Sequence, residues 1–428
     1  MNPTIKARIE SIRRGEVPEG YKRTKIGIVP NEWGEERLKH YFKRLTRKNS
    51  EKNQNVLTIS AQYGLISQED FFNKSVASED KSNYFLLKKG DFAYNKSYSN
   101  GYPYGAIKRL DYYEKGIVSP LYICLESLQE NTSDYFAQYF EAGLLNKEIH
   151  AVAQEGARNH GLLNIAVEDF FNTRVVVPKI PEQEKIAEIL AGQDRVIALK
   201  EELLAEKQKQ KKYLMQQLLT GKKRLPGFSG EWRIVKLKEV LRERDEKNVD
   251  QNLEICSVAV QKGVVNQIEH LGRSFAASDT SNYNMVLFGD IVYTKSPTGE
   301  FPFGIIKQSQ LDKVAVSPLY GVFKPATYAL GYILHCYFEI PINTNNYLNP
   351  IIQKGAKNTI NISNTTFLSN KLLLPMDEKE QTAIAEILST ADNEIELLKK
   401  DIEQEKLKKK SLMQLLLTGI VRVDELVS

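Results

Sequence analysis

The sequence predicts an α+β protein in which two repeated mixed α/β domains are separated by two long helices. The chain has 428 residues, and short motifs recur along it 198 or 199 positions apart. The amphipathic segment from Pro181 to Gly221 returns from Lys379 to Gly419. Between these segments, short apolar runs alternate with Gly, Pro, Asn and Ser, as in strands joined by turns. A fixed repeat of this kind decides the architecture, so each element is assigned in pairs.

The long helices carry an apolar stripe with a period of seven residues. The stripe comprises Leu190, Ile197, Leu204, Lys211 and Leu218 in the first copy, and Leu388, Ile395, Ile402, Lys409 and Leu416 in the second. Such a stripe predicts a coiled-coil seam. We expect the helices to pair as an intramolecular antiparallel coiled coil that acts as a spacer. The alternative is that each helix packs only on its own domain.

Both copies also show the expected helix ends. Acidic residues open each helix, and Gly221 and Gly419 follow a lysine-rich last stretch, which complements the helix dipole and suits a C-terminal cap. The repeat predicts an N-terminal helix and entry loop (1–30), a first repeated domain (31–179), a long helix (180–222), a linker (223–231), a second repeated domain (232–376), a second long helix (377–420) and a tail (421–428).

Within the domains, the pattern predicts short strands and a few helices. One helix is expected across residues 134–153, and a buried one across 328–340, which is too short to span a bilayer. The repeated Ser-Pro-Leu-Tyr segments at Ser119 and Ser317 are interpreted as strand–turn elements. Tyr94 and Tyr293 alternate with apolar neighbours and are expected in the core.

Composition limits the class of protein. The net charge of +5 is compatible with nucleic-acid binding without being diagnostic. The three cysteines show no metal-ligand spacing and fit a reducing compartment. The N-terminal segment lacks the apolar core of a secretory signal. We therefore expect a cytoplasmic protein that does not associate with membranes.

No catalytic motif is recognisable in either copy. The glycines Gly156 and Gly161 have P-loop spacing but lack the following Lys-Ser/Thr. Asp245 and Asp377 lack the additional acidic residue that a metal nuclease needs, and the histidines have no metal-ligand spacing. The segment at Ser119 differs from the methyltransferase motif that it faintly resembles, because leucine replaces the second proline. A binding protein without catalytic residues or a metal site is therefore favoured over an enzyme.

Polar residues concentrate in two repeated loops, and these are the candidate DNA contacts. Lysine and arginine contact phosphates or guanine edges, and asparagine can pair with adenine. The candidates are Lys96, Ser97, Tyr98, Asn100, Arg158, Asn159 and His160 in the first domain, and Lys295, Ser296, Thr298, Lys357 and Asn358 in the second. The alternative for the glycine-containing loops is a turn with a solvated cation. The lysine run from Lys207 to Lys212 is either a phosphate-facing patch or a solvated helix face.

Taken together, these segments resemble the specificity subunit of type I restriction-modification systems. The resemblance rests on the two similar domains, on PEQEKIAEIL from Pro181 opening the first long helix, and on LMQQLLTGKKRLPGFSGEW from Leu214 joining the halves. It implies a non-catalytic subunit whose two target-recognition domains each read half of a bipartite DNA site. The stripe residues Leu190, Ile197, Leu204, Leu218, Leu388, Ile395, Ile402 and Leu416 are then expected to set the spacer and dock other subunits.

The resemblance also implies the partners. They are double-stranded DNA, methyltransferase subunits (two of them) and restriction/translocase subunits, with S-adenosylmethionine, ATP and Mg²⁺ used by the partner subunits and no cofactor in this chain. Ten identities in the twenty-five positions from Tyr84 to Lys108 against the second copy predict related half-sites. Two rivals stay open at this point: a methyltransferase or nuclease with an unrecognised motif, and a scaffold that binds only protein.

Overall fold

The chain forms two compact units, and each long helix contributes to both. The computed structural model describes residues 3–60, 63–69, 80–98, 101–155, 163–354 and 360–425. The first unit comprises residues 1–200 and 401–428, and the second comprises residues 201–400. Each long helix therefore has one part in the first unit and the other part in the second. Among the described residues, no helix combines the length and apolar character needed to cross a membrane.

The first unit begins with a short amphipathic helix and continues with small antiparallel sheets. Its helices are α1 (Pro3–Arg13), α2 (Ser133–Glu141), α3 (Asn146–Val152), α4 (Val167–Phe171) and the first part of α5 (Ile180–Leu218). Its strands are β1 (Tyr21–Arg23), β2 (Ile28–Pro30), β3 (Gly34–Arg37), β4 (Phe42–Arg44), β5 (Leu57–Ser60), β6 (Gly64–Ser67), β7 (Phe85–Lys88), β8 (Phe92–Asn95), β9 (Ala106–Arg109), β10 (Lys115–Val118), β11 (Ile123–Ser127), β12 (Gln154–Glu155), β13 (Leu163–Asn164) and β14 (Arg174–Val177).

The second unit repeats this order. Its strands are β15 (Trp232–Lys236), β16 (Leu241–Glu243), β17 (Ile255–Ala259), β18 (Gly263–Asn266), β19 (Asn284–Val286), β20 (Ile291–Tyr293), β21 (Ile306–Gln308), β22 (Val314–Val316), β23 (Gly321–Pro325), β24 (Gln353–Lys354), β25 (Ile360–Asn361) and β26 (Lys371–Pro375). Its helices are α6 (Gln267–Leu271), α7 (Tyr328–Phe338), α8 (Pro341–Leu348), α9 (Asn364–Ser369) and the first part of α10 (Glu378–Leu416).

The two units share one sheet topology. A four-stranded antiparallel sheet in the order β4-β11-β8-β9 corresponds to β16-β23-β20-β21. The pair β3–β14 corresponds to β15–β26, and the hairpin β12–β13 to β24–β25. The remaining strands form β18-β17-β22-β19 in the second unit, and β5–β6 with β7–β10 in the first. The repeat in the sequence is thus a repeat of strand order and pairing.

Each core lies between the four-stranded sheet and the helices. Phe42, Phe92, Phe136 and Phe140 meet edge-on or tilted in the first unit, with ring centroids between 5.1 and 5.7 Å apart. Such aromatic pairs add stability beyond the apolar area that they bury. In the second unit α7 is buried along most of its length, as predicted for residues 328–340.

The single helix predicted across residues 134–153 is wrong, because two helices occupy this range. Helix α2 ends before Gly143, which has φ +70°. The Leu144 N–H donates to the Tyr139 carbonyl, and the Gly143 N–H donates to the Phe140 carbonyl. This pair of bonds is the Schellman arrangement, in which a left-handed glycine ends the helix. The periodicity of apolar residues continues through the break and concealed it.

The long helices pair antiparallel within each unit. In the first unit, the Lys200 ammonium lies 2.8 Å from Asp401, and Lys409 lies 2.6 Å from Asp194. In the second unit, Lys207 lies 2.7 Å from the Glu394 carboxylate. Residue numbers rise along α5 while those of its contacts fall along α10. The predicted antiparallel seam is confirmed within each unit.

The ends of the paired helices also pack into the domain cores. The core of the first unit includes Leu190 from α5 and Leu416 from α10. The core of the second unit includes Leu218 from α5 and Leu388 from α10. Each helix is 39 residues long, or roughly 58 Å at 1.5 Å per residue. Both ends of each rod are therefore parts of domain cores.

Candidate nucleic-acid interface

The register of the central sheet brings the lysine loop and the Ser-Pro-Leu-Tyr turn to the same sheet end. In the first unit, Ile123 at the start of β11 lies opposite Tyr94 near the end of β8. In the second unit, Gly321 lies opposite Tyr293 in the same way. Because these strands are antiparallel, the residues before β11 or β23 meet the residues after β8 or β20. This sheet end is called the loop end below.

Buried aromatic residues hold the loop end in place. Tyr94 and Tyr293 are fully buried, as predicted, and stack on Phe170 and Phe367 with centroids 5.0 Å apart. Their hydroxyls donate to the carbonyls of Tyr104 and Phe303, at 2.7 and 2.8 Å respectively. Burial raises the pKa of both tyrosines, so they act as hydrogen-bond donors. The strand ends from which the lysine loops start are consequently rigid.

A glycine allows each loop to turn back against the strand. Gly304 has φ +98°, and a side chain there would place a Cβ 2.8 Å from the Lys295 backbone nitrogen. Gly105 has φ +78°, and its Cβ would approach the Asn95 carbonyl even more closely. Only glycine combines this backbone conformation with such close contact. The repeated Gly in PYGAIK and PFGIIK is therefore required by loop closure.

The repeated lysines are half-buried and lack a carboxylate partner. Across the described ranges, neither Lys96 nor Lys295 forms an ion pair or a side-chain hydrogen bond. Burial lowers the pKa of Lys295, and the nearby Glu243 only partly offsets this effect. Lys295 also has φ +54°, a conformation that costs energy outside glycine. A partly desolvated, unpaired cation is a suitable partner for an external anion.

In the first unit, the structure brings two of the predicted loops together. The Leu163 N–H in β13 donates to the Lys96 carbonyl at 3.1 Å, so the hairpin β12–β13 abuts the lysine loop. The Ser97 N–H donates to the Asn95 side chain, and the Tyr98 ring is 64% exposed. The connecting segment of the hairpin contains Arg158, Asn159 and His160. These three residues and Asn100 lie outside the described residues.

In the second unit, Ser296 and Thr298 line a groove of about 510 Å³. A short hairpin closes their loop, because the backbones of Thr298 and Phe301 exchange two hydrogen bonds of 3.0 and 2.9 Å. Lys295 precedes this loop directly. Lys357 and Asn358 belong to the segment between β24 and β25 and lie outside the described residues.

Several other residues that line this groove were not predicted from the sequence. They are Gln261 and Lys262 in the turn between β17 and β18, His270 on α6, and Tyr320. The side chain of Asn266 caps α6 by accepting the N–H groups of Ile268 and Glu269. Lys262 in a tight Gln-Lys-Gly turn was the signal available in the sequence. That Lys262 lines the same groove as Ser296 depends on sheet topology.

The stripe residues expected to set the spacer and dock subunits are used inside the chain. Seven of them, namely Leu190, Ile197, Leu218, Leu388, Ile395, Ile402 and Leu416, are at most 9% exposed, and Leu204 is half-buried. Contact with another subunit through these side chains would require opening the helix pair. The outward faces instead present Leu199 and Tyr213 on α5, and Leu397 and Leu407 on α10, each more than half exposed.

The polar interruption of the stripe is a buried ionic anchor. Lys211 lies 2.7 Å from Glu339 and 2.6 Å from Asp392, and Lys307 also contacts Glu339. Burial alone would raise the pKa of Glu339, but Lys307 and Lys211 outweigh it and lower the pKa to about 2. In the first unit Lys409 pairs with Asp194. The lysine at this heptad position thus ties the long helices together.

A second repeated anchor joins each long helix to the start of a domain. In the second unit, Arg224 forms a bidentate pair with Glu380 at 2.7 and 2.8 Å, and Trp232 donates to the same carboxylate. In the first unit, the corresponding group is Arg422 on Glu182 at 2.6 and 2.9 Å, with Trp33 as the indole donor. The tail after α10 therefore makes the same contact in its unit as the linker after α5.

Comparison with known proteins gives this arrangement a class. Residues 30–209 match the family described as the type I restriction modification DNA specificity domain. The MjaVIII type I restriction enzyme specificity subunit of Methanocaldococcus jannaschii is 28% identical over 341 residues, which cover 73% of this chain and 76% of that protein. The family match spans the first domain and most of α5.

Two solved structures share the fold. The type I restriction-modification S subunit from M. genitalium superposes with a TM-score of 0.52 at 12% identity, over 90% of this chain and 96% of that chain. A chain from a structural study of complex assembly and conformational transition in the type I system has a TM-score of 0.52 at 15% identity, over 92% and 99%. The chain is thus similar to specificity subunits of type I restriction-modification systems, in the sequence of its first domain and in its fold.

Proposed function

We propose that the loop end of each unit is the DNA-reading surface of this specificity subunit. Lys96 and Lys295 then contact the phosphate backbone, while Ser97, Tyr98, Ser296 and Thr298 lie beside the bases. Asn100, the Arg158–His160 segment and the Lys357–Asn358 segment belong to the same proposed surface. Each unit reads one half of a bipartite target, because each has one such surface.

The observation that supports this proposal most directly is the repeated unpaired lysine. Lysine at a protein surface normally extends into water or pairs with a carboxylate, and a half-buried unpaired ammonium is unfavourable. Both lysines are half-buried, and beyond the shared Lys-Ser pair the loop residues differ between the units. Phosphate contacts position a protein on DNA without reading sequence, whereas base contacts specify it. A shared lysine within varied loops fits this division of labour.

The other parts of the complex follow from the family. We propose that two methyltransferase subunits and the restriction/translocase subunits assemble on this chain. We also propose that the complex acts in the cytoplasm. S-adenosylmethionine, ATP and Mg²⁺ are then bound by those partners. The outward faces of α5 and α10, rather than the buried stripe, offer surfaces for docking.

The first prediction tests the lysines. In Lys96→Ala and Lys295→Ala, DNA affinity of the full chain falls about tenfold each, as expected for a lost charged hydrogen bond. The slope of log affinity against log salt concentration falls by about one per lysine. Fluorescence anisotropy with a labelled duplex, titrated across a series of KCl concentrations, measures both quantities.

Matched controls exist in the repeat. Lys39 and Lys238 occupy corresponding exposed positions. Lys39 lies between β3 and β4, Lys238 lies between β15 and β16, and both lie at the end of the four-stranded sheet away from the loop end. Their alanine variants retain wild-type affinity and salt slope. If Lys39→Ala weakens binding as much as Lys96→Ala does, the DNA surface does not lie at the loop end.

A further inference from the structure

The Ser-Pro-Leu-Tyr turns present one exposed leucine in each unit. Leu121 is 67% exposed and Leu319 is 75% exposed, which are high values for side chains that sequence repetition keeps identical. Each follows an exposed proline and precedes a tyrosine that packs inward. Single exposed leucines are common and need no explanation. The repetition of this one, in the same turn of both units, does.

The turns hold these leucines in one orientation. In the first unit, the Tyr122 N–H donates to the Ser119 carbonyl at 3.1 Å, and the Leu121 N–H donates to the Ser119 hydroxyl at 3.3 Å. In the second unit, the corresponding distances are 3.0 and 3.3 Å at Tyr320 and Leu319. The proline before each leucine has its own φ angle fixed by its ring. The leucine backbone is therefore ordered before it meets a partner, so little backbone entropy is lost on binding.

The turns belong to the loop end. Residues preceding β11 and β23 lie beside those following β8 and β20, where Lys96 and Lys295 are found. In the second unit, Tyr320 lines the groove that Ser296 and Thr298 also line. Each leucine consequently stands at the rim of a surface that is otherwise polar and cationic.

The surroundings favour a nucleic-acid partner over a protein. A stable protein interface buries about 800 Å² on each partner around an apolar centre, whereas one leucine among lysine, serine and threonine is a much smaller apolar area. DNA offers a different apolar target, the faces of its stacked bases. Proteins that deform DNA commonly insert Leu, Ile, Phe, Met or Pro between base steps.

We propose that Leu121 and Leu319 are apolar wedges that enter the base stack of the DNA, one in each half-site. Because every base has an apolar face, this contact does not depend on sequence, and a residue common to both units serves two half-sites. The neighbouring lysines hold the backbone on either side of the opened step. This inference rests on the proposed DNA-reading surface at the loop end.

The test uses 2-aminopurine, whose fluorescence rises when the base loses its stacking neighbours. The target is first mapped from the methylated bases in cells that contain the complete system. The fluorescent base is then moved through each half-site, at positions other than the methylated base, and the complex of full chain and methyltransferase subunits is added. We expect a fluorescence rise at one step in each half-site.

The variants assign that rise to a side chain. Leu121→Ala abolishes the rise in one half-site only, and Leu319→Ala abolishes it in the other, while affinity falls about tenfold in each case. Leu128→Ala and Leu373→Ala are the matched controls, since both residues are exposed apolar side chains outside these turns, and they leave both signals unchanged.

Three outcomes would overturn the inference. One is bound DNA without any fluorescence rise, and another is a rise that survives in Leu121→Ala and Leu319→Ala. The third is a loss of methyltransferase subunits from the complex in these variants with the rise intact, which would assign the leucines to a protein contact. The proposed function fails separately, if Lys96→Ala and Lys295→Ala leave DNA affinity and its salt slope unchanged.

Discussion

At the scale of single residues, the two units differ in a histidine that only the second unit has at its position. His335 on α7 is half-buried, and its Nδ1 accepts the Gln308 backbone N–H at 3.1 Å. Burial, together with the charges of Lys307 and Lys211, lowers the pKa of His335 to about 3, and Glu339 only partly opposes this shift. The imidazole is therefore neutral in the folded second unit. The corresponding position in the first unit is Ala137, so this group titrates in one unit alone.

This histidine predicts an acid sensitivity confined to the second unit. The folded pKa of His335 lies below the unfolded value near 6.5, so the unfolded state binds a proton first as the pH falls. The unfolding free energy is therefore highest above about pH 6.5 and decreases as the pH falls toward 3. Between those limits wild type loses about 1.4 kcal/mol per pH unit more than His335→Ala does. Urea unfolding in a Trp33→Phe background, where Trp232 is the remaining tryptophan, reports on this unit.

The control for this prediction is His270→Ala, which removes an exposed histidine from the same unit. It keeps the wild-type dependence of unfolding free energy on pH. Equal slopes in wild type and His335→Ala would contradict the assignment, whatever the variant's stability at neutral pH.

At the scale of the helix, the heptad pattern correctly predicts the seam, but its polar residue Lys211 has a different role from the one that a seam lysine usually has. A lysine in a seam normally weakens a coiled coil while selecting its register. Here Lys211 is 9% exposed and is satisfied by Glu339 from its domain and Asp392 from α10. Tyr332 completes the group by donating to Asp392 at 2.6 Å. The interruption of the stripe is where the helix pair and the domain share a buried network.

Removing that lysine leaves buried carboxylates with fewer partners. We expect Lys211→Met to lower the unfolding free energy of the second unit by about 3 kcal/mol, since breaking a buried ion pair costs more than an exposed one contributes. Lys212→Met changes a neighbouring exposed lysine and stays within about 0.5 kcal/mol of wild type. A loss below about 1 kcal/mol in Lys211→Met would show that water already screens this network.

At the scale of the molecule, each unit is closed by segments distant in the sequence. The first unit joins α1 to the tail, because Arg8 forms a bidentate pair with Glu425 at 2.8 Å for both bonds. Arg422 contacts Glu182 as Arg224 contacts Glu380 in the second unit. Each unit thus uses the beginning of one long helix and the end of the other. Under the proposed function, each unit reads one half-site and the helix pair sets the separation between the half-sites.

That separation is open to a length test. Seven residues inserted after Lys200 and seven after Lys400 preserve the seam, because its pattern repeats every seven residues. We expect the gap between half-sites to lengthen by at most about three base pairs, given about 1.5 Å per helical residue and 3.4 Å per base pair. Methylation mapping in cells that contain the partner subunits measures both the gap and the half-sites.

A matched insertion in the linker provides the comparison. Seven residues added after Gly230, in the exposed segment before β15, leave the gap and the half-sites unchanged. Altered half-sites with an unchanged gap, after the paired helix insertions, would mean that the helices do not act as the ruler.

Sequence periodicity was enough to establish the repeat, the strand-rich domains, the buried Tyr94 and Tyr293, and the antiparallel seam. These features depend on local patterns that one copy confirms in the other. It was not enough to find the break at Gly143, because apolar spacing continues across a left-handed glycine. The candidate contacts were located only as loops, since strand register decides which loops share an edge.

The division of roles follows from the range of the interactions. Periodicity, turn residues and helix ends are set by neighbours a few positions apart, so the chain's pattern specifies its elements and their duplication. Tertiary structure alone decided that Lys211 is buried beside Glu339 and that the stripe leucines are enclosed. It also placed Leu121 and Leu319 at the rim of the lysine loops. Those facts depend on burial and charge pairing between residues that are distant in the sequence, which no local pattern encodes.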